Sequence, residues 1–195
     1  GDRVVIEPYI YCGECYPCSI GKTNCCENLE VIGVHQDGGM VEYISHPAHL
    51  VHKVDDNTPW DKLAMVEPMT IALQGINRVN LEEDEHVAIT GAGTIGLMAA
   101  LLSLDRGAVP IVIDPMEKRL EIAESLGVEY TLNPAEDDVV EEIAEITGDR
   151  MAEVVIEASG AAPAVQATID YVSFAGRVSL IGYPGEETAI PTYMI

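Results

Sequence analysis

The stretch HVAITGAGTIGLMAALLSLD, residues 86–105, decides the fold. A short β-branched run enters a turn holding Gly91, Gly93 and Gly96, and an apolar helical pattern follows over 95–106. Three glycines at this spacing are a weak signal alone, since any glycine-rich turn satisfies it. The surroundings make it specific: a strand before, a helix after, and Asp114 closing the next strand, 23 positions beyond Gly91. In that setting the first glycine permits a tight turn, the second lets the backbone approach a pyrophosphate, and the third lets helix and strand pack closely. The helix N-terminus turns its partial positive charge to the phosphates. Gly91, Gly93, Thr94, Ile95 and Gly96 are therefore expected to cradle a dinucleotide. Asp114 is expected to accept from the ribose hydroxyls and repel a 2′-phosphate, favouring NAD over NADP, with Arg119 framing the ribose. The competing readings are a turn carboxylate before Pro115 and a surface arginine.

Working outward, strands and helices alternate. After PIVID (110–114) come a helix over 117–127, a break marked by Pro and Asp, a helix over 138–147, EVVIEA (153–158), a helix over 162–171 and RVSLIG (177–182). This order predicts an α/β fold with a doubly wound parallel sheet of the Rossmann type. Upstream, PMTIALQGINRVNLEEDE (68–85) reads as a helix and an acidic connector. Residues 1–75 read instead as a β-rich unit, with strands in RVVIEPYIY (3–11), GGMVEYIS (38–45) and LVHKV (50–54). Asp37, Gly38 and Gly39 are expected to reverse a hairpin there. The predicted domains are thus 1–75 and 76–195.

All five cysteines lie in CGECYPCSIGKTNCC, residues 12–26. A chain of 195 residues that is 48% hydrophobic can build a core without covalent staples, so a disulfide framework is disfavoured. The spacing of Cys12, Cys15, Cys18 and Cys26 suits four thiolates around one tetrahedral Zn2+, with Gly13, Pro17 and Gly21 letting the backbone wrap tightly. The rivals are an iron–sulfur cluster and a Cys-x-x-Cys redox pair. Cys25 is the odd thiol and an alternative ligand to Cys26. A closed four-thiolate site has no open position for substrate, so its expected role is structural.

The formal net charge of −23 argues against nucleic acid and anionic membrane as partners. No run approaches the roughly 20 apolar residues of a membrane span, and a cytoplasmic setting is expected. Both ends begin or stop within apparent strands, which predicts a piece of a longer protein. Exposed edges near RVSLIG and TAIPTYMI (188–195) predict a homodimer or homotetramer.

Taken in order, the cysteine loop, DGGMVEY (37–43), VEPMTIALQG (66–75), ITGAGTIG (89–96), EASG (157–160) and GRVSLIGYPG (176–185) resemble the zinc-dependent medium-chain alcohol/polyol dehydrogenases. The resemblance is nearest to the sugar-alcohol, sugar-acid and threonine dehydrogenase branch. It implies that the first unit is part of a GroES-like catalytic domain. It also implies hydride transfer between a secondary alcohol and NAD, and Glu67 as a carboxylate on a catalytic zinc or its bound water. The other ligands of that zinc would lie upstream of Gly1. Ser159 and Gly160 are implied near the adenine side of the dinucleotide, and LIGYPG (180–185) near the nicotinamide. His46, His49, His52 and His86 read as surface or strand residues, and His35 as a residue of the substrate cleft or a loop histidine bonded to backbone. The competing function is a non-catalytic, zinc-structured module that binds NAD.

Overall fold

The computed structural model describes residues 1–191 and 193. The chain divides into two compact units, Gly1–Glu67 and Pro68–Ile195.

The first unit has little regular structure. Strand β1 (Val4–Ile6) precedes Pro8 and β2 (Tyr9–Ile10) follows it. A single helical turn, α1 (Tyr16–Ser19), lies within the cysteine loop, and β3 (Glu30–Val31) follows that loop. Strand β4 (Val51–Lys53) pairs antiparallel with β1, and β3 pairs antiparallel with β2. Helix α2 (Trp60–Ala64) follows, its Trp60 ring lying 4.6 Å beneath the Arg3 guanidinium. Helix α3 (Val66–Arg78) begins just before the division.

Two expectations fail here. GGMVEYIS forms no strand: its apolar side chains stand in solvent, Met40 and Tyr43 almost completely, and no described strand pairs with it. β-propensity expresses fit to a packed neighbour, which this run lacks. Nor is there a hairpin at Gly38–Gly39: the chain bends at Gly39, where the Val41 N–H donates to the Gly39 carbonyl at 2.9 Å, but no described strand flanks the bend. The turn is at Gly33, which adopts φ 84° and donates its N–H to the Gln36 carbonyl at 2.9 Å. A left-handed backbone needs glycine most, and Gly33 supplies it.

The second unit is the doubly wound sheet. Strands β5 (His86–Thr90), β6 (Val109–Ile113), β7 (Tyr130–Leu132), β8 (Ala152–Glu157) and β9 (Val172–Leu180) pair in parallel in the order β7-β6-β5-β8-β9. Helices α4 (Thr94–Asp105), α5 (Glu117–Ser125), α6 (Val139–Thr147) and α7 (Ala162–Tyr171) connect them. Alternation along the strands builds two cores. Val87, Ile89, Val112, Val154 and Ile156 face one layer with Ile76 of α3, Met98 of α4 and Leu120 of α5. Ala88, Ile111, Ile113 and Val155 face the other with Ile143 of α6 and Tyr171 of α7. Strand β7, only three residues long, has no counterpart in the sequence reading. β9 is an edge strand carrying exposed Phe174 and Leu180. The expected second edge falls partly outside the described residues, and 188–191 form no strand.

The start of β5 is tied to β8 by Glu153, which accepts from the His86 backbone N–H at 2.8 Å and lies 3.2 Å from its Nδ1. Burial pushes the Glu153 carboxyl up. Donation from the His86 backbone, its own backbone and the His86 ring outweighs this and holds it below the ordinary 4.5. A depressed folded-state value adds stability above the ordinary carboxylate range and loses it as pH falls through the folded value. Glu153→Gln is therefore expected to flatten the fall in urea midpoint as pH drops below the ordinary 4.5. An unaltered acid profile would remove Glu153 from that account.

Candidate metal centre and dinucleotide cradle

In the first unit the cysteine loop folds onto itself. Gly13 and Gly21 take φ 80° and 74°, Cys15 caps α1, and Cys18 lies within its single turn. The Sγ atoms of Cys12, Cys15, Cys18 and Cys26 all come within 4.8 Å of one another. Cys26 Sγ lies 3.5 Å from Cys12 Sγ and 3.9 Å from Cys15 Sγ. A tetrahedron of sulfurs with bonds of about 2.3 Å has edges of roughly 3.8 Å, whereas a disulfide needs about 2.05 Å. The donor set therefore fits a tetrahedral zinc, and all five cysteines are free thiols.

The surroundings act on the sulfurs unequally. Backbone N–H groups of Cys12 and Asn28 each donate to Cys26 Sγ at 3.3 Å. Donation from the backbone of Glu14 and Cys15 pulls the Cys12 thiol down to about 6, while burial and the Cys15 thiol push Cys18 up to about 12. Cys25 is exposed and outside the cluster, with Asn24 Nδ2 at 3.5 Å from its sulfur.

Glu67 lies in the first turn of α3, where the helix dipole favours a carboxylate. Pro68 is tolerated there because first-turn N–H groups have no intrahelical acceptor. Tyr9 donates its hydroxyl to Glu67 Oε1 at 3.1 Å. His35 Nδ1 accepts from the Val31 N–H at 2.9 Å, so this side chain closes its own loop.

In the second unit the strand order reverses at β5, and the glycine loop leaves the end of that strand. This is the switch point where open α/β sheets bind ligands. Gly91 has φ 95°, and a Cβ there would meet Ser159 Cβ at 2.9 Å. A Cβ on Gly96 would sit 1.7 Å from the Gly91 carbonyl oxygen. Gly93 differs from both. It caps α4 with φ −76°, and a Cβ there would meet nothing within 4 Å. The first turn of α4 carries no acidic residue, Thr94 is exposed, and Ile95 packs against the core. Open space at a helix N-terminus, guarded by a residue without a side chain, fits a pyrophosphate.

Asp114 follows β6 and is almost wholly buried. Its Oδ2 accepts from the Ala92 N–H at 2.8 Å and from Arg119 Nη1 at 3.2 Å, and its Oδ1 from the Met116 N–H at 2.8 Å. The carboxylate thus both closes its own turn and holds the glycine loop.

Glu157, ending β8, was not singled out by sequence. It is completely buried, and its Oε1 accepts from Ser159 N (2.8 Å), Ser159 Oγ (2.5 Å) and Gly160 N (2.9 Å). Its main-chain oxygen accepts from Ile181 and Gly182, and a Cβ on Gly182 would lie 2.2 Å from Glu157 Oε2. One residue therefore fastens the EASG and LIGYPG turns together beside Gly91. The available signal was an acid ending an otherwise apolar strand.

One chain carries both a glycine-loop α/β unit and a four-thiol lobe. Residues 94–195 match the zinc-binding dehydrogenase family, and residues 1–56 match the alcohol dehydrogenase GroES-like domain. The chain belongs to the zinc-binding dehydrogenase family. It is 57% identical over 195 residues to an uncharacterized zinc-type alcohol dehydrogenase-like protein of Haemophilus influenzae, covering all of this chain and 57% of that one. It is 37% identical over 190 residues to L-threonine 3-dehydrogenase of Pyrococcus horikoshii, covering 96% of this chain and 54% of the relative. The chain thus spans little more than half the length of these relatives. An alcohol dehydrogenase structure, rspB of Escherichia coli CFT073 complexed with NADH, superposes with TM-score 0.93 at 33% identity, covering 100% of this chain and 58% of that one. Among the described residues no helix is long and apolar enough to cross a membrane.

Proposed function

We propose that this chain carries the zinc-structured lobe and NAD-binding unit of an oxidoreductase. The reaction moves hydride between NAD and the secondary alcohol of a polyol, sugar acid or hydroxy amino acid. Cys12, Cys15, Cys18 and Cys26 hold a structural zinc, and Glu67 serves the catalytic zinc directly or through its water. When bound, that metal supplies Lewis-acid polarisation of the substrate oxygen, and the nicotinamide supplies the hydride acceptor. The chain's own residues bind and orient. Gly91 to Gly96 seat the pyrophosphate, Asp114 and Arg119 frame the ribose, and Ser159 and Gly160 border the adenine side. Assembly into dimers or tetramers through the exposed β9 edge belongs to the same reading.

The observation that carries this is the open approach at Gly93, beside a carboxylate fixed at the end of β6. The identified threonine dehydrogenase relative supports the substrate class. In the test, a zinc-loaded longer protein containing this chain is assayed for NADH formation with threonine, sorbitol and aldonic acids. Absence of turnover across that panel rejects the reaction.

Cofactor choice has its own test. Asp114→Ser removes the fixed negative charge and releases Arg119 to meet a 2′-phosphate. The NADH to NADPH affinity ratio, measured by fluorescence titration, is expected to move at least about tenfold toward NADPH, equivalent to about 1.4 kcal/mol. An unchanged ratio would exclude Asp114 from discrimination.

A further inference from the structure

The four thiols and Glu67 lie in one unit, and one short ladder joins them. We infer that Tyr9 is a positioning residue that aims the Glu67 carboxylate, and that the metal cage sets Glu67 through it. This rests on the reading of Glu67 as a carboxylate serving the catalytic metal.

Three observations carry the inference. First, Tyr9 donates its phenol hydroxyl to Glu67 Oε1 at 3.1 Å across 58 positions of sequence. A phenol facing a carboxylate can only donate, so the bond fixes which oxygen it engages and selects a side-chain rotamer. Second, Tyr9 opens β2, whose sheet pairing among the described residues is two residues long: Tyr9 opposite Val31 and Ile10 opposite Glu30 of β3. A ladder of that length does not hold its own register. Third, the cysteine loop is the connection between those strands. Cys12 comes two residues after β2, and β3 begins four residues after Cys26. Drawing Cys12 and Cys26 to one ion therefore closes the base of the ladder and places the Tyr9 ring. The metal called structural reaches the catalytic carboxylate without touching it.

The test uses the zinc-loaded chain with 3-fluorotyrosine at every tyrosine, observed by fluorine NMR at neutral pH. The Tyr9 resonance is the one missing from Tyr9→Phe. In Glu67→Gln it is expected to shift more than any other tyrosine resonance. After zinc is chelated, wild type and Glu67→Gln are expected to give the same Tyr9 shift. A Tyr9 resonance indifferent to Glu67→Gln in the loaded chain overturns the bond, and equal sensitivity with and without zinc overturns the coupling.

In the longer protein, Tyr9→Phe is expected to lower kcat about tenfold with the KM for NAD unchanged and zinc stoichiometry retained. If Glu67→Gln leaves turnover intact while the fluorine coupling stands, the catalytic reading of Glu67 fails and the linkage survives. If Glu67→Gln abolishes turnover and Tyr9→Phe matches wild type in kcat and spectrum, the positioning role fails and the function survives.

Discussion

Gly96→Ala is expected to abolish dinucleotide binding, weakening NADH affinity more than about 100-fold, which corresponds to about 2.7 kcal/mol. The added Cβ would sit 1.7 Å from the Gly91 carbonyl oxygen and 2.9 Å from its carbon. Backbone cannot rotate aside as a side chain can. Either the first turn of α4 lifts away from β5 or the glycine loop opens, and both move the N–H groups that meet the pyrophosphate. Because Met98, Ala99 and Ala100 of the same helix are buried in the core, lifting also destabilises the unit, by roughly 1–3 kcal/mol as overpacking generally does. Gly93→Ala is the informative partner. Its φ of −76° is accessible to alanine and nothing lies within 4 Å, so urea stability should equal or slightly exceed wild type. Its NADH affinity should nonetheless fall by an order of magnitude or more, because the phosphate would occupy the space the methyl fills. Wild-type binding by Gly93→Ala would place the pyrophosphate elsewhere.

The pair also illustrates what sequence discloses. The β5–α4–β6 segment was legible because burial on both sheet faces forces long apolar strands, and because close approach forces glycine at set intervals. The cysteine cage was legible because its ligands lie within one loop of fifteen residues. Strand β7 was not, since three residues cannot display a period of two. GGMVEYIS misled in the opposite sense, having strand-forming residues without a strand to pair with. Tyr9 and Glu157 escaped for a different reason. Their roles reside in contacts made by the fold, across 58 positions for Tyr9 and Glu67 and between two separate turns for Glu157. No local pattern encodes such meetings. Asp114 sits between these cases: its position was predicted, but its grip on the Ala92 N–H emerged only from the packed turn.

Chelation of the zinc is expected to unfold the first unit and leave the second standing. Between Gly1 and Glu67, the buried apolar residues among those described are Cys26, Leu50 and Leu63. Burying a large apolar side chain contributes only about 1.5–3 kcal/mol, so this core is too small to hold the unit unaided. The paired strands are two and three residues long and add little. Structural zinc in small peptides supplies on the order of 10–16 kcal/mol, more than these three side chains contribute together. The second unit has two cores on opposite faces of a five-stranded sheet and contains none of the four thiols. Hydrogen exchange should therefore show protection of β1 to β4 falling at least about 100-fold on chelation, while β5, β6 and β8 retain theirs. Cys18→Ser, which exchanges one thiolate for a poor zinc ligand, should reproduce the loss at ordinary zinc concentrations. Cys25→Ser should not, since its sulfur lies outside the cluster. Full protection of β1 to β4 in the chelated chain would mean that the first unit folds without its metal.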